Sequence, residues 1–169
     1  MKWLLSQVAQ ATHGRLIGAD VEVTGVSTDT RTVTDGQLFI ALSGERFDAH
    51  EFLDQAVAAG AAALLVSNES KVPAGVSAVV VDDTRLALGH FAAAWRAQFS
   101  LPVIAVTGSN GKTTTKEMIA AILKAAHGAA GLSTRGNLNN DIGLPLTLLG
   151  LSAAHRAVVI EMGMNHPGE

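Results

Sequence analysis

The chain has 169 residues, 48% of them hydrophobic and 16% charged, with a formal net charge of -3. That is enough apolar material for one sizeable core or two small ones, and the scattered lysines and arginines lack the basic footprint of a nucleic-acid binder. The absence of cysteine excludes disulfides, thiolate nucleophiles and cysteine-based metal centres and fits a reducing compartment. No run reaches membrane-spanning length, and Ser6 and Gln7 interrupt the opening apolar residues before a signal core forms, so a cytoplasmic protein without membrane contact is expected.

Apolar runs and amphipathic stretches alternate along the chain. Leu4, Leu5, Val8 and Ala11 fit one helical face, with Gly14 as the stop. Strands are expected at 15–17, 21–26 and 37–42, separated by Gly18 and the polar stretch STDTRTVTDG. A helix over 50–59 ends at Gly60, and strands follow at 62–66 and 78–81. These elements make a small α/β module, residues 1–82. Asp82, Asp83 and Thr84 are N-cap residues for a helix whose Leu88, Phe91, Ala92, Trp95 and Phe99 keep helical spacing up to Leu101-Pro102. A second unit, 83–169, contains a strand at 103–107, a helix over 113–126, and a break at 128–131. A polar turn, RGNLNNDIG, then opens a helix that accommodates Pro145, and a strand follows at 157–161. Only those two strands are predicted in this unit. The fold class is α/β: a small N-terminal module followed by the first part of a parallel-sheet phosphate-loop domain.

The stretch VIAVTGSNGKTTTKEM (103–118) carries the strongest chemistry. A strand feeding a glycine turn that opens a helix leaves backbone N–H groups converging with the positive helix end, where a phosphate can sit. Val106 stands where G-x-x-x-x-G-K-[ST] would need its first glycine, so this loop, starting at Gly108, is two residues shorter than the usual form. Gly108, Ser109, Asn110, Gly111, Lys112, Thr113 and Thr114 are the ATP-binding candidates, with Lys112 supplying charge to the β- and γ-phosphates and Thr113 a hydroxyl to Mg2+. The alternative, an ordinary βα turn, must explain a lysine that opposes the helix dipole. Glu161 ends the apolar run AVVIE, where the carboxyl ends of parallel strands gather around a ligand, and it pairs with Thr113 as a Mg2+ candidate.

Other signals are weaker. The amides of GNLNND either contact a phosphate or acyl group or simply form a turn and cap a helix. The histidines show no H-x-x-x-H pairing, and His166 is the one near the supposed site. STDTR (27–31) offers hydroxyls and a guanidinium to an anion, but Ser, Thr and Asp are also common turn formers.

Taken in order over nearly the whole chain, STDTR, GQLFIALSGERFDAHEFLDQAVAAGA, VDDTRLALG, TGSNGKTT, TRGNLNNDIGLPLTLL and IEMGMNHPGE resemble the Mur ligases. These ATP-dependent enzymes add amino acids to the peptidoglycan precursor, and the resemblance is strongest to the branch that joins D-alanyl-D-alanine to a UDP-N-acetylmuramoyl-tripeptide. It implies ATP and Mg2+, and an acyl phosphate formed on the substrate carboxylate and then captured by the incoming amine. By motif position it implies Lys112, Asn137 and His166 at the catalytic centre, with Asn139 in the same cleft. The UDP end would be held by Ser27, Thr28, Asp29, Arg31, Gly44, Phe47, Asp48 and His50. The resemblance also implies a three-domain, monomeric enzyme, of which this chain would hold the UDP-binding domain and part of the ATP-binding domain and would not catalyse alone. Two other readings stay open: a related Mur-type or folylpolyglutamate-type amide ligase, and a stand-alone nucleotide- or UDP-binding module.

Overall fold

Short β-branched and leucine-rich runs, separated by turn residues, set the architecture. The computed structural model describes residues 2–44, 47–136 and 138–163, and the chain divides into two units, Met1–Phe91 and Ala92–Glu169. The first begins with β1 (Trp3–Leu4), α1 (Leu5–Thr12), β2 (Arg15–Ile17), β3 (Glu22–Val23), β4 (Gly25–Ser27) and β5 (Gln37–Ile40). It continues through β6 (Ser43–Gly44), β7 (Phe47–Asp48), a 3-10 turn (Ala49–Phe52), α2 (Leu53–Ala58), β8 (Ala63–Val66) and β9 (Ala78–Val80). Helix α3 (Thr84–Arg96) runs from this unit into the second.

The main sheet of the first unit has the order β2-β9-β8-β5-β4, parallel except for β2, which is antiparallel to β9. Every residue of β8 is buried, as a strand covered on both faces requires. Phe39, Leu53, Leu64 and Val66 form its core with small alanines between them. The Asp83 carboxylate accepts from the N–H groups of Arg85 and Leu86 at 2.7 and 3.0 Å and so caps α3, as predicted.

Three local expectations are corrected. Segment 21–26 is two strands in two sheets: β3 pairs with β1 and β4 with β5, the change falling at Thr24, whose N–H donates to the Gly36 carbonyl. Helix α1 stops at His13, which takes the left-handed conformation itself (φ 57°). Gly14 serves packing instead, since a Cβ there would lie 2.5 Å from Val79 Cγ1 and 2.9 Å from the Val80 carbonyl oxygen. The helix expected over 50–59 is split, because Asp48 accepts from the His50 N–H and winds the first turn as 3-10.

In the second unit, β10 (Val103–Val106), α4 (Lys112–His127), β11 (Gly131–Ser133), α5 (Gly143–Leu149) and β12 (Ala157–Glu161) follow α3. The sheet is parallel with order β10-β12-β11. It contains a strand that was not expected, β11, which starts at Gly131, the last residue of the expected break; three residues are too few to show a period of two. Helix α4 lays Ile119, Ala120 and Leu123 against Ile104, Val106 and Val159, an i, i+1, i+4 stripe suited to one helix face. Trp95 Nε1 donates to the Leu151 carbonyl at 3.1 Å. Among the described residues, no helix is long and apolar enough to cross a membrane.

Candidate functional site

Strand β10 ends at Val106 and α4 begins at Lys112, so five residues, 107–111, make the turn between them. Gly108 has φ 139° and Gly111 φ 76°, values that glycine adopts without the Cβ penalty. A Cβ at either would meet nothing within 4 Å. The glycines therefore answer a backbone requirement, and the space beside them is left open. No side chain caps the start of α4, so its first N–H groups keep the partial positive charge of a helix end. Lys112 Nζ donates to the Gly108 carbonyl at 2.6 Å, folding the side chain over the loop. Ser109, Asn110 and Thr114 are exposed.

The pairing Val106↔Glu161 brings the acid beside the start of this loop. Glu161 is 1% exposed. Its Oε1 accepts from Asn139 Nδ2 at 2.7 Å and from Thr113 Oγ1 at 3.1 Å, while Oε2 is buried without a hydrogen-bond partner. An unpaired buried carboxylate oxygen is costly, and here it lies on the residue that a hydroxyl from the loop helix also reaches. These oxygens are the hard donors that Mg2+ takes. Among the described residues, no group of three or more His, Cys, Asp or Glu could hold a metal.

The asparagine turn caps a helix, as one of its readings had it, and also reaches the acid. Asn139 reaches Glu161, whereas Asn140 Oδ1 accepts from the Gly143 N–H at 2.8 Å and caps α5. Asn137 and His166 lie outside the described residues. Two buried residues beside the site, Lys116 and Thr134, were missed. Lys116 was legible in principle, because it precedes Ile119, Ala120 and Leu123 on the apolar stripe of α4.

A second concavity, about 620 Å³, lies in the first unit and is lined by Thr28, Asp29, Thr30, Arg31, Phe39, Phe47, Ala49, Phe52 and Gln55. It sits beyond the carboxyl ends of β4 and β5, where open parallel sheets bind ligands. Phe47 and Phe52 stack at 5.3 Å between ring centroids with an 11° interplanar angle, presenting a flat aromatic surface. Arg31 grips Asp29 through Nε (2.9 Å) and Nη2 (2.6 Å), and this hydrogen bonding holds the Asp29 carboxyl down at about 2. The structure brings Thr28, Asp29, Arg31 and Phe47 together around the cleft, and adds Phe39, Phe52 and Gln55 to them.

The other first-unit candidates serve the fold around it. Ser27 Oγ bonds within its own turn, to the Asp29 backbone and Thr32. Gly44 pairs with Phe47 in the β6–β7 ladder. His50 is buried, with Nδ1 on Asp48 at 2.6 Å and Nε2 accepting from the Ser67 N–H at 3.0 Å, so both ring nitrogens are engaged inside the protein. The backbone N–H and then the ring of His50 hold the Asp48 carboxyl down at about 2.

Comparison with known proteins decides the family. Residues 22–96 match the profile of the Mur ligase family, catalytic domain, and residues 106–169 match the Mur ligase middle domain. The UDP-N-acetylmuramoyl-tripeptide--D-alanyl-D-alanine ligase of Escherichia coli (strain K12) is 53% identical over 165 residues, 98% of this chain. The chain belongs to the Mur ligase family. It spans 36% of the length of that relative. A crystal structure of MurF from Acinetobacter baumannii superposes with a TM-score of 0.90 at 46% identity, over 100% of this chain and 37% of the other. A MurF ligase from Thermotoga maritima in complex with ADP gives 0.75 at 33% identity, over 86% of this chain and 33% of the other. The mixed α/β fold with parallel sheets is thus that of the Mur ligases.

Proposed function

We propose that this chain holds the UDP-binding domain (1–82) and part of the ATP-binding domain (83–169) of a ligase that joins D-alanyl-D-alanine to a UDP-N-acetylmuramoyl-tripeptide in the cytoplasm. The observation that carries the nucleotide assignment is the buried, half-unpaired carboxylate of Glu161, bonded to Thr113 at the start of the helix that the glycine turn opens. The relatives' names support the choice of substrates.

In this reading, the backbone N–H groups of 108–113 and the α4 dipole bind the β- and γ-phosphates of ATP, and Lys112 exchanges the Gly108 carbonyl for a phosphate oxygen. Thr113 and Glu161 would hold Mg2+, which when bound neutralises charge on the phosphates. The substrate carboxylate attacks the γ-phosphorus, its bond to the β-γ bridging oxygen breaks, and ADP leaves. The amine of D-alanyl-D-alanine then attacks the acyl carbon, the C–O bond to phosphate breaks, and the amine's proton passes to solvent. The chain's own residues provide alignment and positive charge rather than a nucleophile. Asn137 and His166 are proposed near the acyl group from motif position. The first-unit cleft takes the UDP end, with Phe47 and Phe52 facing the base and Arg31 the diphosphate, and so orients the distant carboxylate.

The test expresses the whole open reading frame that contains this sequence and measures phosphate release. Release that needs ATP, the UDP-tripeptide and D-alanyl-D-alanine together, and that Lys112→Ala abolishes while circular dichroism is unchanged, is expected. Nucleotide and UDP binding with no release under any substrate combination would favour the binding-module reading.

A further inference from the structure

Among the described residues of the second unit, the buried polar or charged side chains are Lys116, Thr134 and Glu161, and one hydrogen-bonded chain joins all three. Lys116, in the second turn of α4, is 0% exposed. Its Nζ donates to the Thr134 carbonyl at 3.0 Å and to the Glu117 carboxylate. Thr134 directly follows β11; its N–H donates to the Val159 carbonyl at 3.1 Å, and its Oγ1 accepts from the Glu161 N–H at 3.0 Å. Each polar group of Thr134 is engaged, two on β12 and one on α4.

A buried ammonium carries a desolvation penalty that a methionine of similar length would avoid. The lysine must therefore do something a hydrocarbon cannot. Among the described residues, its hydrogen bond outside α4 goes to a carbonyl of the residue that fixes the Glu161 backbone. Lys116 also lies one turn beyond Lys112 and Thr113, so the same bond ties the helix that carries the loop hydroxyl to the strand end that carries the acid.

We infer that Lys116 is a positioning residue: through Thr134 it holds the Glu161 carboxylate where, with Thr113 Oγ1, it meets the divalent cation of a bound nucleotide. This rests on the nucleotide site proposed above. Groups that orient metal ligands in this way commonly change metal affinity by about 10–100-fold when removed. The prediction is therefore specific to Mg2+, not to the nucleotide.

The experiment is calorimetric titration of this chain with ADP, in EDTA and across a MgCl2 series, for wild type, Lys116→Met, Thr134→Val and Thr134→Ser. Wild type should bind ADP more tightly as Mg2+ rises. Lys116→Met and Thr134→Val should each need about tenfold more Mg2+ for half of that effect, with ADP affinity in EDTA within twofold of wild type. Thr134→Ser, which keeps the hydroxyl, should match wild type, and the double variant Lys116→Met/Thr134→Val should lose no more than either single one. A folded Lys116→Met with wild-type Mg2+ dependence, or with equal losses in EDTA and Mg2+, overturns the positioning role alone. If Lys116→Met does not fold, the threonine pair decides, and equal Mg2+ dependence of Thr134→Val and Thr134→Ser overturns it. Failure of the wild-type chain to bind ADP at any Mg2+ concentration overturns the nucleotide site itself, and this inference with it.

Discussion

Replacing Glu161 with glutamine separates what the carboxylate does for the fold from what it does for a ligand. Glu161→Gln keeps the side-chain shape and an Oε1 acceptor, so the bonds from Asn139 and Thr113 survive as neutral ones. Hydrogen bonds to a charged group contribute about 1.5–3 kcal/mol and neutral ones about 0.5–1.5, so the two together weaken by about 2.5 kcal/mol. Against this stands the penalty for burying an ion, several kcal/mol after relaxation, which Oε2 does nothing to offset because it has no partner. The ligand-free variant should be more stable by about 1–3 kcal/mol, which for a chain of this size raises Tm by about 2–12 °C. With ADP and MgCl2 the order should reverse. A ligand at a hundred times its Kd adds about 2.7 kcal/mol, and the variant should lose most of the part that depends on Mg2+. Thermal unfolding followed by circular dichroism, with EDTA, with ADP and EDTA, and with ADP and MgCl2, measures both. A lower Tm for the ligand-free variant would make Glu161 a structural anchor, and an undiminished Mg2+ effect would remove it from the metal.

Other perturbations test the first unit. Asp48, with its carboxyl held near 2 against an ordinary 3.8, contributes stability that is fully present above about pH 4 and is lost as pH falls toward 2. Asp48→Asn should flatten acid denaturation in that window, and an unchanged acid limb would show that the His50 bonding adds nothing. Gly14→Ala pushes a methyl to 2.5 Å from Val79 Cγ1 and 2.7 Å from Val81 Cγ1; overpacking of this kind costs about 1–3 kcal/mol, and urea unfolding should show it unless α1 shifts freely. UDP-N-acetylmuramic acid titrated into the labelled chain should move amide signals of 28–31 and 47–55, and Phe47→Ala should weaken binding at least fivefold, since base–aromatic stacking contributes about 1–3 kcal/mol. Shifts confined to 107–113 would contradict the cleft assignment.

What could be read from the sequence depended on the range of the signal. The glycine turn between β10 and α4 was legible because its signal is local: the strand, both glycines, Lys112 and the helix occupy adjacent positions. The capping of α3 by Asp83 is local in the same way. Strands β1, β6 and β7 were invisible because two residues cannot show alternation, and the split of 21–26 into β3 and β4 was hidden because pairing is decided by partners elsewhere in the chain. Gly14 was misread because glycine ends helices more often than it makes room for a neighbouring strand, and here Val79–Val81 decide the matter. The first-unit cleft was half legible. Thr28, Asp29 and Arg31 stand in the polar STDTR loop, which reads equally as a turn, and Phe47 follows only from the family resemblance, while Phe39, Phe52 and Gln55 show no local signal until the fold places them around the same space. The Lys116–Thr134–Glu161 chain spans α4, the end of β11 and β12, and no local pattern connects those positions.

The strand order β10-β12-β11 has a consequence for how the second unit comes into being. Strands β10 and β11 do not pair with each other; both pair with β12, which leaves the ribosome after them. While the chain is being made, the glycine turn and α4 are synthesised before the strand that joins β10 to β11. Such non-local closure slows folding and leaves apolar edges waiting for a partner. The residues 157–161 that link β10 to β11 end in Glu161. The step that joins these three strands is thus also the step that brings Glu161 beside Thr113.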